Sequence, residues 1–295
     1  MEFKMIMRFM PNERKEQLQK VINTLRIGGR SEKTVSNYVH AINRFLMYFE
    51  NEDISKFNEN EIIKYIKQNY LTKSCAGSTY NMNICAIKYF YSVNFNKEFN
   101  SKLLPHAKLI KKIPVVIDKD VFIKIFNEES SLKHKCWLLL AYSSGLRVEE
   151  ISTLRIENIN SKEHKLKVFG KRNKERITVL TDTTIHYLRH FYRTTYYYPA
   201  KIKNGYLFEG YQCSEHINSG SITNYFSALK FKYELDENIS FHSLRHSFAT
   251  NFIKSGGDPF VLKSMLWHSS LNTTGIYIHM GRDFNNLKGV NYDGI

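Results

Sequence analysis

"HKLKVFGKRNKERITVL", residues 164–180, is the stretch on which the fold class turns. Its two ends, "HKLKVFG" and "ERITVL", are short runs rich in apolar and β-branched residues, and "KRNK" joins them as a basic loop. That pattern predicts a β-hairpin. Everything around it reads as helix. Upstream, Asp118 can cap a helix through Phe126, and "LKHKCWLLLAYSS" is a buried helix ended by Gly145. Downstream, helices are expected at 182–198, 221–233, 243–254 and 259–267. In "SGGDP" a glycine stop precedes Asp258 as cap and Pro259 at the first helical position. The second part of the chain is therefore a helical domain carrying a small sheet.

Towards the N-terminus the periodicity is purely helical. Val35, Tyr38, Val39, Ile42, Phe45, Leu46 and Phe49 form one apolar stripe behind Ser31 as N-cap. Asn58 and Glu61 have capping-box spacing ahead of Ile62, Ile63 and Ile66. Met82, Ile84, Ile87, Phe90 and Tyr91 make a third stripe, and residues 12–26 complete about four helices. The segment "NSKLLPHAKLIKKIPVVIDKD" has little periodicity, two prolines and several lysines, which marks a basic linker. The expected layout is a helical domain over 10–104, a linker over 105–115 and a second domain over 116–295. The fold class is mostly α with a small β-sheet, in two domains.

Composition narrows the function classes. The 295 residues carry a net charge of +15. Residues 1–110 hold 17 basic and 10 acidic side chains and residues 111–295 hold 26 and 18, so both parts are positive. Such a surplus points to a polyanionic partner, with DNA or RNA ahead of a membrane surface. Twenty Phe and nineteen Tyr can build real cores and exclude a disordered chain. Cys75, Cys85, Cys136 and Cys213 show no paired CxxC spacing, which fits a reducing compartment rather than a disulfide framework or zinc ribbon. No apolar run is long enough to span a bilayer. "MEFKMIMRFM" lacks the apolar core and cleavage site of a signal peptide, so a cytoplasmic location is expected.

The chemistry-bearing residues lie in the second part. "GLRVEE" puts Arg147 just after a helix stop, where it can point into a cleft. "FHSLRHSFATNF" puts His242, Arg245 and His246 on one face at a helix start through i, i+3 and i+4 spacing. His268 closes a later helix and Tyr277 follows in "HSSLNTTGIYIHM". Two arginines, two histidines, a hairpin lysine and a tyrosine can together grip and break a phosphodiester. Guanidinium forks match phosphate oxygens and stabilise the charge that builds on a pentacoordinate phosphorus. The metal reading of His242, His246 and His268 is the rival. It is disfavoured because Ser243 stands where a zincin motif needs glutamate, and Arg245 would repel a cation.

As a set these residues resemble the tyrosine recombinases, the phage integrase group that includes the bacterial Xer proteins. "GLRVEEISTLR" is similar to the first arginine box, with Arg147 and its supporting Glu150. "VFGKRNKERITVL" resembles the hairpin whose lysine falls on Lys171, with Arg172 and Lys174 in the same loop. "FHSLRHSFATNF" resembles the second box, with His242 and Arg245, and His246 beside them in support. "LWHSSLNTTGIYIHM" resembles the final box, with His268 and Tyr277. Trp267, Glu149, Gly275 and Phe241 depart from the family's usual residues; none removes a catalytic group, and Glu149 is expected to face solvent.

The resemblance implies an N-terminal four-helix core-binding, SAM-like domain and a C-terminal mixed α/β catalytic domain. It implies a site-specific recombinase that cleaves and rejoins DNA through a 3′-phosphotyrosyl link, for integration, excision or resolution through a Holliday junction. Tyr277 would be the nucleophile, His242 its proton acceptor and Lys171 the general acid. Arg147, Arg245 and His268 would bind the phosphate. A homotetramer on two double-stranded DNA sites is implied, with no cofactor, no catalytic metal and no membrane. Two other readings share the residue set: a topoisomerase-like enzyme that reseals the original strand, and a DNA-binding protein whose catalysis has decayed.

Overall fold

A computed structural model describes residues 2–8, 10–71, 76–109, 113–170, 175–196, 205–210 and 215–266. The chain divides into two compact units, Met1–Lys111 and Lys112–Ile295.

The first unit is all helix: α1 Glu2–Met7, α2 Asn12–Ile27, α3 Glu32–Tyr48, α4 Glu59–Ile66 and α5 Gly77–Phe95. The caps are those the sequence predicts. Ser31 Oγ accepts from Thr34 N at 3.3 Å, and Asn58 N donates to Glu61 Oε2 at 2.7 Å. The short α1 precedes the four expected helices. Phe3, Ile6, Met7 and Met10 pack on the core, which accounts for the apolar start of the chain. Phe45 sits at the centre of that core, edge-on to Phe49 and Tyr65 at 5.2 Å and to Tyr91 at 6.0 Å. After α5, the chain at Pro105–Ala107 stays tied to that helix. Tyr80 OH donates to Pro105 O at 2.9 Å, and Asn81 pairs with both backbone groups of Ala107.

Asn83 interrupts the apolar stripe of α5, yet it is fully buried. Its Oδ1 accepts from Tyr70 OH at 2.7 Å and Arg44 Nη2 at 3.2 Å, while its Nδ2 donates to Thr79 O at 2.7 Å. A buried amide is tolerated because it is hydrogen-bonded.

The second unit places α7 (Leu132–Tyr142) at its centre, with every residue from Cys136 to Tyr142 buried. It packs against α9 (Asp182–Thr195) and α11 (Phe241–Lys254). Around them lie α6 (Lys119–Glu128), α8 (Val148–Ser152), α10 (Ser219–Lys232) and α12 (Pro259–Leu266). Asp118 caps α6 through Asp120 N, and Asp258 caps α12 through Phe260 N at 2.7 Å. The hairpin forms as β2 (Lys165–Phe169) against β3 (Glu175–Val179), antiparallel, with Val168 opposite Arg176 and Leu166 opposite Thr178. A two-residue strand, β1 (Ile159–Asn160), extends it to three strands in the order β1-β2-β3. So short a strand carries no alternation for the sequence to reveal.

Asn83→Ala would leave the buried Tyr70 hydroxyl without its 2.7 Å acceptor. The first unit is expected to lose about 2 kcal/mol in chemical denaturation of the full chain, as a buried orphaned donor does. A loss under about 0.5 kcal/mol, the level of an ordinary surface substitution, would show that the amide is dispensable.

Candidate active site

The site is built around a turn. Helix α7 ends at Tyr142, and Gly145 takes a left-handed conformation with φ +67°. A Cβ there would also come within 2.6 Å of Phe248 Cδ1 and 2.8 Å of Leu266 Cδ2. Glycine is therefore required both by the backbone and by the close approach of α11 and α12. The turn delivers Arg147 to the position just before α8, where its N–H donates to Glu150 Oε2 at 2.8 Å. This is the acidic half of a capping box.

Glu150 is a buried carboxylate, 4% exposed, and three guanidiniums surround it. Arg176 Nη2 lies 2.6 Å from its Oε2, Arg147 Nη1 2.9 Å from its Oε1 and Arg245 Nη1 3.8 Å from its Oε2. Burial alone would raise the Glu150 pKa. The Arg176 charge, the Arg147 N–H bond and the charges of Arg245 and Arg147 outweigh it, and hold the carboxyl below its ordinary range. The same arginines meet the end of α12. Leu266 O accepts from Arg245 Nη2 at 2.5 Å and from Arg147 Nη2 at 3.4 Å, and Met265 O accepts from Arg176 Nη1. Arg245 also donates to Gly145 O. The guanidiniums thus converge on two successive carbonyls of α12.

Of the two predicted arginines, Arg147 is the accessible one at 35% side-chain exposure, and Arg245 is 2% exposed. The helix face expected to carry His242, Arg245 and His246 together divides by depth. Arg245 goes into the wall, His246 is half-buried and His242 is exposed at the rim. The two imidazoles meet edge to face at 4.7 Å. No further His, Cys, Asp or Glu completes a metal-binding group with them among the described residues. Although part of His242 meets solvent, protein packed about its ring desolvates it. That effect, then the charges of Arg245 and Arg147, lower its pKa from the ordinary imidazole value. Glu149 is exposed, and the carboxylate that binds Arg147 is Glu150. Lys171, His268, Tyr277 and Trp267 lie outside the described residues.

Sequence reasoning missed Arg176. In "ERITV" the structure buries Arg176 and Thr178 while Ile177 is 53% exposed and Val179 is half-buried. The signal that could have found it is the hairpin register, which sets Arg176 beside Val168 and Thr178 beside Leu166 on the inward face of β2.

Comparison with known proteins gives the setting. A model of the phage integrase family matches residues 116–282, and one of the phage integrase N-terminal SAM-like domain matches residues 18–100. The chain is 28% identical over 280 residues to tyrosine recombinase XerD of Staphylococcus epidermidis, covering 90% of this chain and 94% of that one. It is 28% identical over 267 residues to tyrosine recombinase XerA of Pyrococcus horikoshii, covering 88% and 87%. Among solved structures, the XerH site-specific recombinase bound to palindromic difH substrate superposes with a TM-score of 0.72 at 20% identity, over 91% of this chain and 82% of that one. A lambda integrase dimer bound to a COC′ core site gives a TM-score of 0.71 at 16% identity, over 94% and 98%. At these identities the structural matches speak for the fold.

The lowered Glu150 pKa makes a prediction with a definite sign. A carboxyl depressed in the folded state stabilises fully above its unfolded pKa of about 4.3, and that contribution is lost as pH falls through the lower folded value. Glu150→Gln should weaken the fold at neutral pH, by up to about 3–5 kcal/mol for a broken buried pair, and lose part of the acid sensitivity of the wild type. Urea unfolding of both proteins at neutral and acid pH checks this; parallel pH profiles would show that Glu150 is not a linked group.

Proposed function

We propose the following chemistry on the premise that this chain belongs to the phage integrase family. It is a tyrosine-type site-specific recombinase that cleaves and rejoins DNA strands. The phenol of Tyr277, with an ordinary pKa near 10, needs a base and positive surroundings to act at neutral pH. Its oxygen attacks the scissile phosphorus while its proton passes to His242. Lys171 protonates the departing 5′-oxygen. Arg147 and Arg245 hold the two non-bridging oxygens, and His268 adds a hydrogen bond. The product is a 3′-phosphotyrosyl link and a free 5′-hydroxyl. Attack by the 5′-hydroxyl of a partner duplex reverses the step and restores the phenol. No ATP is consumed, because the phosphotyrosine keeps the bond energy, and the guanidiniums take the part of a metal ion.

The observation that carries this reading is the meeting of residues about 100 positions apart. Arg147 and Arg245 share the Leu266 carbonyl and the Glu150 carboxylate, with His242 at their rim. One carboxylate against three guanidiniums leaves the pocket wall positive, as an anionic phosphate requires.

The partner is double-stranded DNA, bound through phosphate contacts that will depend steeply on salt. The helical domain, 10–104, serves as a clamp, 105–115 as linker and 116–295 as the catalytic domain. Four copies act on two sites, and the work is done in the cytoplasm.

Tyr277→Phe is expected to bind its site as the wild type does and to form no covalent adduct on a nicked suicide substrate. An adduct formed by the Phe variant would assign the nucleophile elsewhere.

Lys171→Ala is expected to cleave an ordinary linkage roughly a hundredfold more slowly, the scale of a lost proton transfer. A 5′-bridging phosphorothiolate, which leaves as a thiolate, should restore most of the rate. The outcome that removes Lys171 from the role is no sulfur rescue in Lys171→Ala together with rescue in Lys174→Ala.

A further inference from the structure

Arg176 is a buried cation that the reaction above does not use. Its side chain is 2% exposed on an inward strand position, while its neighbour Ile177 faces out. Setting a guanidinium inside and an isoleucine outside is unfavourable unless specific bonds compensate. Two do: Nη2 to Glu150 at 2.6 Å and Nη1 to the Met265 carbonyl. The other inward residue of the strand, Thr178, donates to Ser144 O at 2.8 Å, in the turn that leads to Arg147. β3 is thus fastened to both structures that shape the site, the Gly145 turn and the end of α12.

We infer that Arg176 is a positioning residue for strand cleavage. It occupies one oxygen of Glu150, so that the other orients Arg147, and it pins the last turn of α12. That turn is the shared acceptor of Arg147 and Arg245, and His268 follows it two residues on in sequence. Arg176 also lies five residues beyond Lys171, on the strand that the basic loop enters. One side chain therefore sets the hairpin, the first arginine box and the end of α12 in mutual register. The inference rests on the reading that Arg147, Arg245, Lys171 and His268 serve the phosphate.

The choice of variants separates positioning from bulk stability. Arg176→Lys keeps the charge beside Glu150, but a point charge cannot replace a fork that reaches two acceptors. Glu150→Gln with Arg176→Met removes the closest pair of opposite charges together, so the net charge of the cluster is kept, and the amide oxygen can still accept from the Arg147 N–H. In the full-length protein three quantities are measured: DNA-site affinity, the rate of covalent adduct formation on a suicide substrate, and amide hydrogen exchange across residues 132–142 and 259–266. Arg176→Lys and the double variant are expected to bind DNA like the wild type and to keep protection over 132–142. Both should lose protection over 259–266 and cleave up to about a hundredfold more slowly, the effect of an ångström-scale misplacement. Wild-type cleavage with unchanged exchange at 259–266 in Arg176→Lys would overturn the proposal. So would a rate loss matched by equal loss of protection over 132–142, which is general destabilisation. Tyr277→Phe runs alongside. Adduct formed by that variant defeats the reading of the site, whereas the exchange at 259–266 still decides whether Arg176 anchors α12.

Discussion

Among the described residues, the second unit is organised around one buried negative charge. A carboxylate removed from water is strongly unfavourable unless it is paired and hydrogen-bonded, and Glu150 is met by guanidiniums from three separate elements: the start of α8, strand β3 and helix α11. The imbalance of charge is the functional point. Three positive groups around one negative group keep the carboxyl ionised and leave an uncompensated field at the rim, where Arg147 is exposed. Burial first, and that field second, lower the His242 pKa.

The arginines reach beyond Glu150 to the backbone. Met265 O and Leu266 O of α12 accept from the cluster itself. Gly145 makes this possible from the other side. With no Cβ it lets Phe248 and Leu266 close over the turn while its carbonyl accepts from Arg245. Core packing and site geometry are consequently not separable here: the Phe248 ring and the Leu266 methyl that limit the turn belong to the helix that carries Arg245 and to the one that precedes His268 in sequence.

The first unit is held differently. Its core is an array of edge-on aromatic rings around Phe45, and its one deeply buried amide, Asn83, is satisfied by Tyr70, Arg44 and a helix carbonyl. Here polar burial stabilises packing between helices rather than a charged wall, and the basic side chains remain largely at the surface.

What the sequence determined by itself was local. Caps at Ser31, Asn58, Asp118 and Asp258, the stop at Gly145, the hairpin and the amphipathic stripes all rest on residues within a few positions of one another, so hydrogen-bond spacing and periodicity reveal them. The candidate residues Arg147, Glu150, His242 and Arg245 were legible through their order and flanking residues. Tertiary structure decided the rest. The depth of Arg245 against the exposure of His242 depends on what packs against α11, which no helical spacing encodes. Arg176 finds its partners 26 and 89 residues away, and Asn83 finds Arg44 39 residues away. At the hairpin, Arg176 and Thr178 are buried and Ile177 is exposed because the groups that receive them, Glu150, Met265 O and Ser144 O, come from distant parts of the chain and meet only when it folds.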